Sequence, residues 1–462
     1  MKKLTLITFV LLLLFQKSIA QESFPTLTGK VNISVMKGTF DCDFTLSNIP
    51  KIEDYVIRIN SGMNILHFKS LKPNEFVIGH DISFKDTLAY ETRAYYFPSS
   101  NRKDKFLPES VQVRYTGKFP VANDTVSNFS KKDWKGNIAF NGKTVRSDGT
   151  QSAWYPVLYD INNDLLHDQV KYDIEITCED CSTLYVNGNA PVKGTKARFK
   201  SDIPQEMMLF CGNYDFAFVD DTYILNPDID IKEIKEFSKL TNTYKQYYEK
   251  QLGISYNQPI TFINTTPTSI KDGWLFVAYP TIVNIGHGDS GIKSLMGKWL
   301  RPFIAHELAH YYFGTYKVLN SELGDMVSEG FAEYMSMLLT RKMIGADVYQ
   351  KSVDQKIEFM DDFTPVAMSK IRYNSDYRDR QTYVYDYAPL VFCAIEKEIG
   401  EKAMWKWMKT ILDTRTLFTN YNFLLSTLEK SLNDKAKLDV IRSKYLTSDN
   451  SVENIKKALK GK

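Results

Sequence analysis

Beyond its first twenty positions the chain has no run of eighteen apolar residues, which excludes a membrane-spanning helix from the mature polypeptide. It also lacks a long basic stretch. Its 58 Lys and Arg stand against 55 Asp and Glu, a formal charge of +3, and this near-neutral balance argues against a nucleic-acid partner. Cysteine is scarce, five in 462 residues, too few for a disulfide-stapled scaffold. Cys178 and Cys181 form a CxxC, but neither a second CxxC nor a nearby histidine completes a zinc ribbon. That pair reads as a local bridge or as free thiols, with one bridge involving Cys211 as the other expectation, and Cys393 in an apolar helical run reads as a buried thiol. Internal repeats and low-complexity segments are missing as well.

At the N-terminus, Lys2 and Lys3 precede a mostly apolar stretch from Leu4 to Phe15, and Ser18-Ile19-Ala20 offers small residues at the positions a signal peptidase reads. Residues 1–20 are therefore expected to be an export signal cleaved after Ala20, delivering the protein to the periplasm or the cell exterior. Gln21 in place of a cysteine argues against a lipid anchor. Residues 21–226 are expected to form a β-domain. Val31–Val35, Tyr55–Ile59 and Tyr172–Ile176 alternate or are β-branched, and turn signals such as Asn187-Gly188-Asn189 separate such segments. After Asn226-Pro227-Asp228 the pattern changes. Ile231–Leu252 reads as a helix stopped by Gly253, Ile260–Ile263 and Trp274–Ala278 read as strands, and from about residue 291 the chain reads as helical. Residues 227–462 are assigned to a second domain.

Histidine is rare too, at six residues, yet two of them fall in His306-Glu307-Leu308-Ala309-His310. Neither Gly nor Pro interrupts Phe303–Phe313, so the segment should be helical. Residues four apart on a helix differ by about 40° in direction, so both imidazoles project from one face and can share a metal ion. Zinc suits two such nitrogens. Glu307, rotated by about 100° from His306, can lie beside the reacting water without ligating the metal, as a general base must. A third ligand is needed, and Glu329 in Ser328-Glu329-Gly330-Phe331-Ala332-Glu333 can return to the metal if its helix packs antiparallel to the first. Two histidines and one carboxylate leave a fourth position open for water, the mark of a catalytic zinc. Glu333, one turn beyond Glu329, could orient a histidine or pair with a Lys or Arg. His287 reads as an ordinary loop histidine.

These motifs resemble those of the gluzincin metallopeptidases of the alanyl-aminopeptidase (aminopeptidase N) and leukotriene-hydrolase family. His306–Gly314 is similar to the family's zinc helix, and Ser328–Glu333 to its Asn-Glu-Gly-Phe-Ala element. Tyr385-Asp-Tyr-Ala and Glu396-Lys-Glu-Ile-Gly400 resemble its Tyr-x-Lys-Gly element followed by Glu and Gly, and Trp154-Tyr155-Pro156 resembles part of its N-terminal β-domain. The resemblance covers most of residues 130–445 and is strongest from 300 to 400. It implies an α+β multidomain protein, with an N-terminal β-sandwich or saddle domain and a thermolysin-like, mostly helical zinc domain. It further implies one zinc per chain, a peptide or protein substrate, and Tyr385 as the residue that stabilises the transition state, with Tyr383 and Tyr387 as rivals. Two departures stand out. The family's exopeptidases grip the substrate amine with the Glu of a Gly-x-Met-Glu-Asn strand, whereas this chain has Gly273–Ala278 there, no Glu between Glu249 and Glu307, and only Asp272 and Asp289 as acids in that interval. Tyr387 stands where the family has the Lys of Tyr-x-Lys-Gly. The first departure points to an endopeptidase, or a peptidase indifferent to a free amine, as the alternative to an aminopeptidase. A zinc-holding, inactive peptide-binding protein is the alternative of another class, and the intact Glu307 argues against it.

Overall fold

The computed structural model describes residues 24–460 apart from 54, 72–76, 79–80, 83–91, 98–107, 122–137, 148, 164, 257–258, 265–274, 279–280, 285–291 and 417. The expected export signal, His287, Asp272 and Asp289 lie outside the described residues.

Alternation decides the first half. Along Val170–Cys178, residues Val170, Tyr172, Ile174, Ile176 and Cys178 are buried and those between them are half-exposed, so the strand has one wet face. It is the second strand of a seven-stranded sheet ordered Lys196–Gln205, Val170–Cys178, Thr26–Ser34, Thr39–Ser47, Val111–Lys118, Met63–Ser70, Val77–Ile78. Within it, Thr26–Ser34 runs parallel to Val170–Cys178 and antiparallel to Thr39–Ser47. Two five-stranded sheets complete this half, and buried side chains from all three share one core around Trp154. The Trp154 indole donates to the Met207 carbonyl at 2.9 Å, and the Tyr115 hydroxyl donates to the Trp154 carbonyl at 2.6 Å, so neither polar group is orphaned by burial.

The local bridge expected of the CxxC is present, and the alternative bridge to Cys211 is corrected. The one disulfide among the described residues joins Cys178 to Cys181, and Cys211 is a free, buried thiol. The reason is geometric. The turn after Val170–Cys178 brings the two Cα atoms of the CxxC within 5.4 Å, inside bridging range, while Cys211 sits mid-strand, opposite Val145 and Leu184, and points into the core. Cys393 is a buried free thiol, as expected.

The helix Ile231–Leu252 (α1) begins and ends where the sequence indicates. Asp230 accepts from the Lys232 and Glu233 amides, Glu233 returns a carboxylate oxygen to the Asp230 amide, and Gly253 closes the helix at φ +65°. A further five-stranded sheet draws strands from both sides of Asn226, in the order Phe216–Val219, Thr222–Leu225, Ile260–Asn264, Thr281–Asn284, Leu275–Ala278. Its edge strand Leu275–Ala278 is antiparallel to Thr281–Asn284 and packs beside the helix Arg301–Ala309 (α2). Next come Gly324–Leu339 (α3), Ala346–Phe359 (α4) and, after a π-helical turn over Tyr383–Tyr387, Ala388–Ile399 (α5). The chain is thus sheets first and helices after, as the expected fold class has it.

Helix α2 is shorter than the Phe303–Phe313 expected. It stops at Ala309 because the next residues wind more tightly: the Tyr311 and Tyr312 amides donate to Leu308 and Ala309, three residues back. Their side chains explain the change, since the Tyr311 hydroxyl reaches the Ser255 carbonyl and that of Tyr312 the Ile254 carbonyl, tying the turn to the end of α1.

Candidate metal centre

Helices α2 and α3 pack antiparallel. His306 meets Glu333, and one turn later His310 meets Ser328 and Glu329. Gly330 permits the close packing of α3 on α5: a Cβ there would lie 3.0 Å from the Ala388 Cβ and 3.1 Å from a Phe392 ring carbon. Phe331 then stacks between Phe313 and Phe392, with centroids 4.9 and 4.0 Å away. Glu396 accepts from Arg341 and from the Tyr334 hydroxyl, both at 2.8 Å, which ties α5 to α3 and the turn after it.

Three of the sequence-identified residues converge. His306 Nε2 lies 3.1 Å from His310 Nε2, and the two nitrogens lie 3.3 and 3.2 Å from Glu329 Oε2. The protonation pattern gives this triangle its meaning. His306 Nδ1 is 2.9 Å from a Glu333 carboxylate oxygen and His310 Nδ1 is 3.2 Å from the Phe313 carbonyl. Both neighbours only accept, so both Nδ1 atoms carry the proton, and in the neutral tautomer both Nε2 lone pairs face inward. Two lone pairs and a carboxylate oxygen cannot satisfy one another, and Glu329 Oε2 is buried with no hydrogen-bond donor among the described residues. A cation resolves the conflict, and the separations match the edge of about 3.3 Å in a tetrahedral centre with bonds of about 2.0 Å. The donor set therefore fits zinc.

The electrostatics agree. Burial disfavours a charge on His306, but the adjoining carboxylates of Glu329 and Glu333 outweigh it and raise its pKa to about 10, so the surroundings call for a positive charge here, whether from a proton or a metal ion. Burial raises the carboxylate of Glu329, yet the two imidazoles hold it well below its usual range. Glu333 is likewise opposed by burial but lowered to about 2 by Lys356 and His306. Glu307, only 7% exposed, is raised, chiefly by burial, and accepts no hydrogen bond among the described residues.

Three tyrosines compete near this triangle, and their hydroxyls separate them. Tyr383 donates to the Val366 carbonyl at 2.9 Å and Tyr387 pairs with Ser451 at 2.9 Å, both from fully buried rings. The Tyr385 ring instead lies 5.9 Å from that of His306. Both readings of Glu333 meet in one side chain: it holds His306 through Oε2, and Lys356 through Oε1 at 2.8 Å.

Two flanking cations escape a reading of the sequence. Arg380 forms a two-pronged pair with Asp325 at 2.6 and 2.7 Å, reaches Glu329 Oε1 at 3.5 Å and lies 5.6 Å from the Tyr385 ring centre. Nothing local distinguishes it. Lys356 does leave a trace, because it falls on the apolar stripe of α4 with Val353 and Ile357, where a charge is out of place.

No protein-family model and no curated protein matches the sequence. Solved structures do resemble the fold. The M1 zinc metallopeptidase of Deinococcus radiodurans superposes with a TM-score of 0.61 at 12% identity, covering 90% of this chain and 92% of its own. Leukotriene A4 hydrolase of Saccharomyces cerevisiae superposes with a TM-score of 0.61 at 13% identity, covering 93% of this chain and 70% of its own. A mutant of the Deinococcus enzyme has also been solved bound to a Tyr-Ser-Ala substrate. At these identities the chain has the fold of those metallopeptidases.

Proposed function

We propose that this protein is a zinc-dependent peptidase in which His306, His310 and Glu329 hold one metal ion, Glu307 is the general base and Tyr385 stabilises the developing oxyanion. The observation that carries the reading is the buried triangle of two imidazole nitrogens and a carboxylate oxygen, each 3.1–3.3 Å from the others, with both Nδ1 protons already engaged. A zinc ion held there would polarise the scissile carbonyl and acidify water. The chain's own groups then have these tasks. Glu307 takes the proton of the attacking water as the C–O bond forms and delivers it to the amine as the C–N bond breaks. Tyr385 keeps its phenol proton, because burial raises its pKa far above neutrality, and can donate a hydrogen bond to the oxyanion. A peptide-library digest read by mass spectrometry, on protein of known zinc content, tests the reading; zinc-loaded protein that cleaves nothing would overturn it.

The assignment of Tyr385 makes its own forecast. Tyr385→Phe should lower turnover roughly a hundredfold while sparing zinc, whereas Tyr383→Phe and Tyr387→Phe should act mainly on stability. A near-normal Tyr385→Phe beside an inactive variant of either rival would assign the phenol wrongly.

A second reading concerns the substrate's end. An aminopeptidase must pair a protonated α-amine with an acid, and no Glu occurs between residues 250 and 306. In the edge strand Leu275–Ala278, beside α2, Phe276 occupies the region where the resemblance would place that acid. We therefore expect weak activity on aminoacyl reporter substrates and comparable cleavage of one peptide with a free or an acetylated N-terminus. A large loss on acetylation would restore the aminopeptidase reading.

A further inference from the structure

Lys356 lies on the buried side of α4 at 9% exposure. Helix packing alone gives no reason for it, since Val353 and Ile357 beside it fill the same stripe with apolar side chains. Its ammonium instead meets oxygens from two other elements. It donates to Glu333 Oε1 at 2.8 Å on α3, and to the Tyr385 carbonyl at 2.7 Å and Asp386 at 3.5 Å in the π-helical turn before α5.

The second contact follows from the sequence. In a regular helix the Tyr385 carbonyl would accept from the amide of residue 389, but that residue is Pro389, which has none. The backbone widens into the π-turn Tyr383–Tyr387, a local feature that recurs at functional sites. With no amide at position 389, the Tyr385 carbonyl accepts from Lys356. Glu333, the other partner of the ammonium, holds His306 Nδ1 at 2.9 Å. One side chain therefore joins the backbone of Tyr385 to the imidazole of His306.

We infer that Lys356 is a positioning residue that fixes the Tyr385 phenol relative to the metal, acting on the metal through Glu333 and on Tyr385 through its backbone carbonyl. The inference rests on the peptidase reading for the role of Tyr385. It predicts two separable effects. Lys356→Met should weaken zinc binding by about tenfold or more in chelator competition, as loss of support for a ligating histidine does. It should also lower kcat by about tenfold or more with KM within about twofold, because a displaced donor harms the transition state rather than substrate binding.

Repeating the substitution in a Glu333→Gln background separates the two arms. There Lys356→Met should no longer change zinc affinity, yet should still lower kcat. A purely structural lysine would lower the melting temperature in both backgrounds and leave zinc affinity and kcat of the folded protein alone. The inference is overturned if folded Lys356→Met keeps both within about twofold of wild type, or if zinc affinity falls as much without Glu333 as with it. Should the single variant fail to fold, Glu333→Gln is compared with Glu333→Gln/Lys356→Met: a further fall in kcat supports the inference and an equal kcat refutes it. If the wild-type protein holds zinc but cleaves no peptide, the peptidase reading falls on its own. The zinc arm then decides this inference, a loss that depends on Glu333 supporting it and no loss refuting it.

Discussion

Glu307→Gln should leave fold and zinc content intact and lower peptide turnover by about two to four orders of magnitude, the range over which a positioned general base contributes. The substitution preserves the shape of a side chain that is nearly sealed from solvent, and removes only its ability to accept a proton. Glu307 accepts no hydrogen bond from the described residues, so the change orphans no buried donor and should cost little stability. Burial raises its pKa, and the neighbouring imidazoles oppose that rise. Product formation followed by mass spectrometry beside metal analysis of the same sample checks the result. Turnover within tenfold of wild type would remove Glu307 from the mechanism.

The second large effect is loss of the metal. Glu329→Ala, His306→Ala or His310→Ala should each reduce zinc from about one per chain to background, with turnover lost alongside, because three protein ligands are the minimum for a catalytic site. Glu329→Ala is the most informative of the three. Glu329 Oε2 closes the triangle while Oε1 faces Arg380 at 3.5 Å, and Arg380 keeps its two-pronged pair with Asp325 when Glu329 is gone. The variant should therefore fold, so that missing zinc reports on ligation rather than on collapse. Full occupancy in folded Glu329→Ala would place the third ligand elsewhere.

Where the determinants are local, the sequence sufficed. Helix α1 announces itself through Asp230, Glu233 and Gly253, which satisfy its own end groups. The spacing of His306, His310 and Glu329 needed only helix geometry and one antiparallel return. What depends on distant partners was less legible. Whether Cys211 reaches the CxxC depends on which strand carries it into the core, and the early end of α2 depends on carbonyls at Ile254 and Ser255. Only the family resemblance separated Tyr385 from Tyr383 and Tyr387 along the chain, because the hydroxyl partners of those two, Val366 and Ser451, lie 17 and 64 residues away. Arg380 reaches Glu329 from 51 residues away, and no nearby pattern signals it.

Gly330 limits how this centre can be altered. The residue that follows Glu329 also sets the distance between α3 and α5, since even a methyl group there would crowd Ala388 and Phe392. The tyrosine turn leads directly into α5, so a wider gap between those helices would carry Tyr385 away from Glu329. Core packing and reaction geometry thus share one adjustable dimension. Re-packing this region for thermal robustness should therefore also shift the tyrosine turn relative to Glu329.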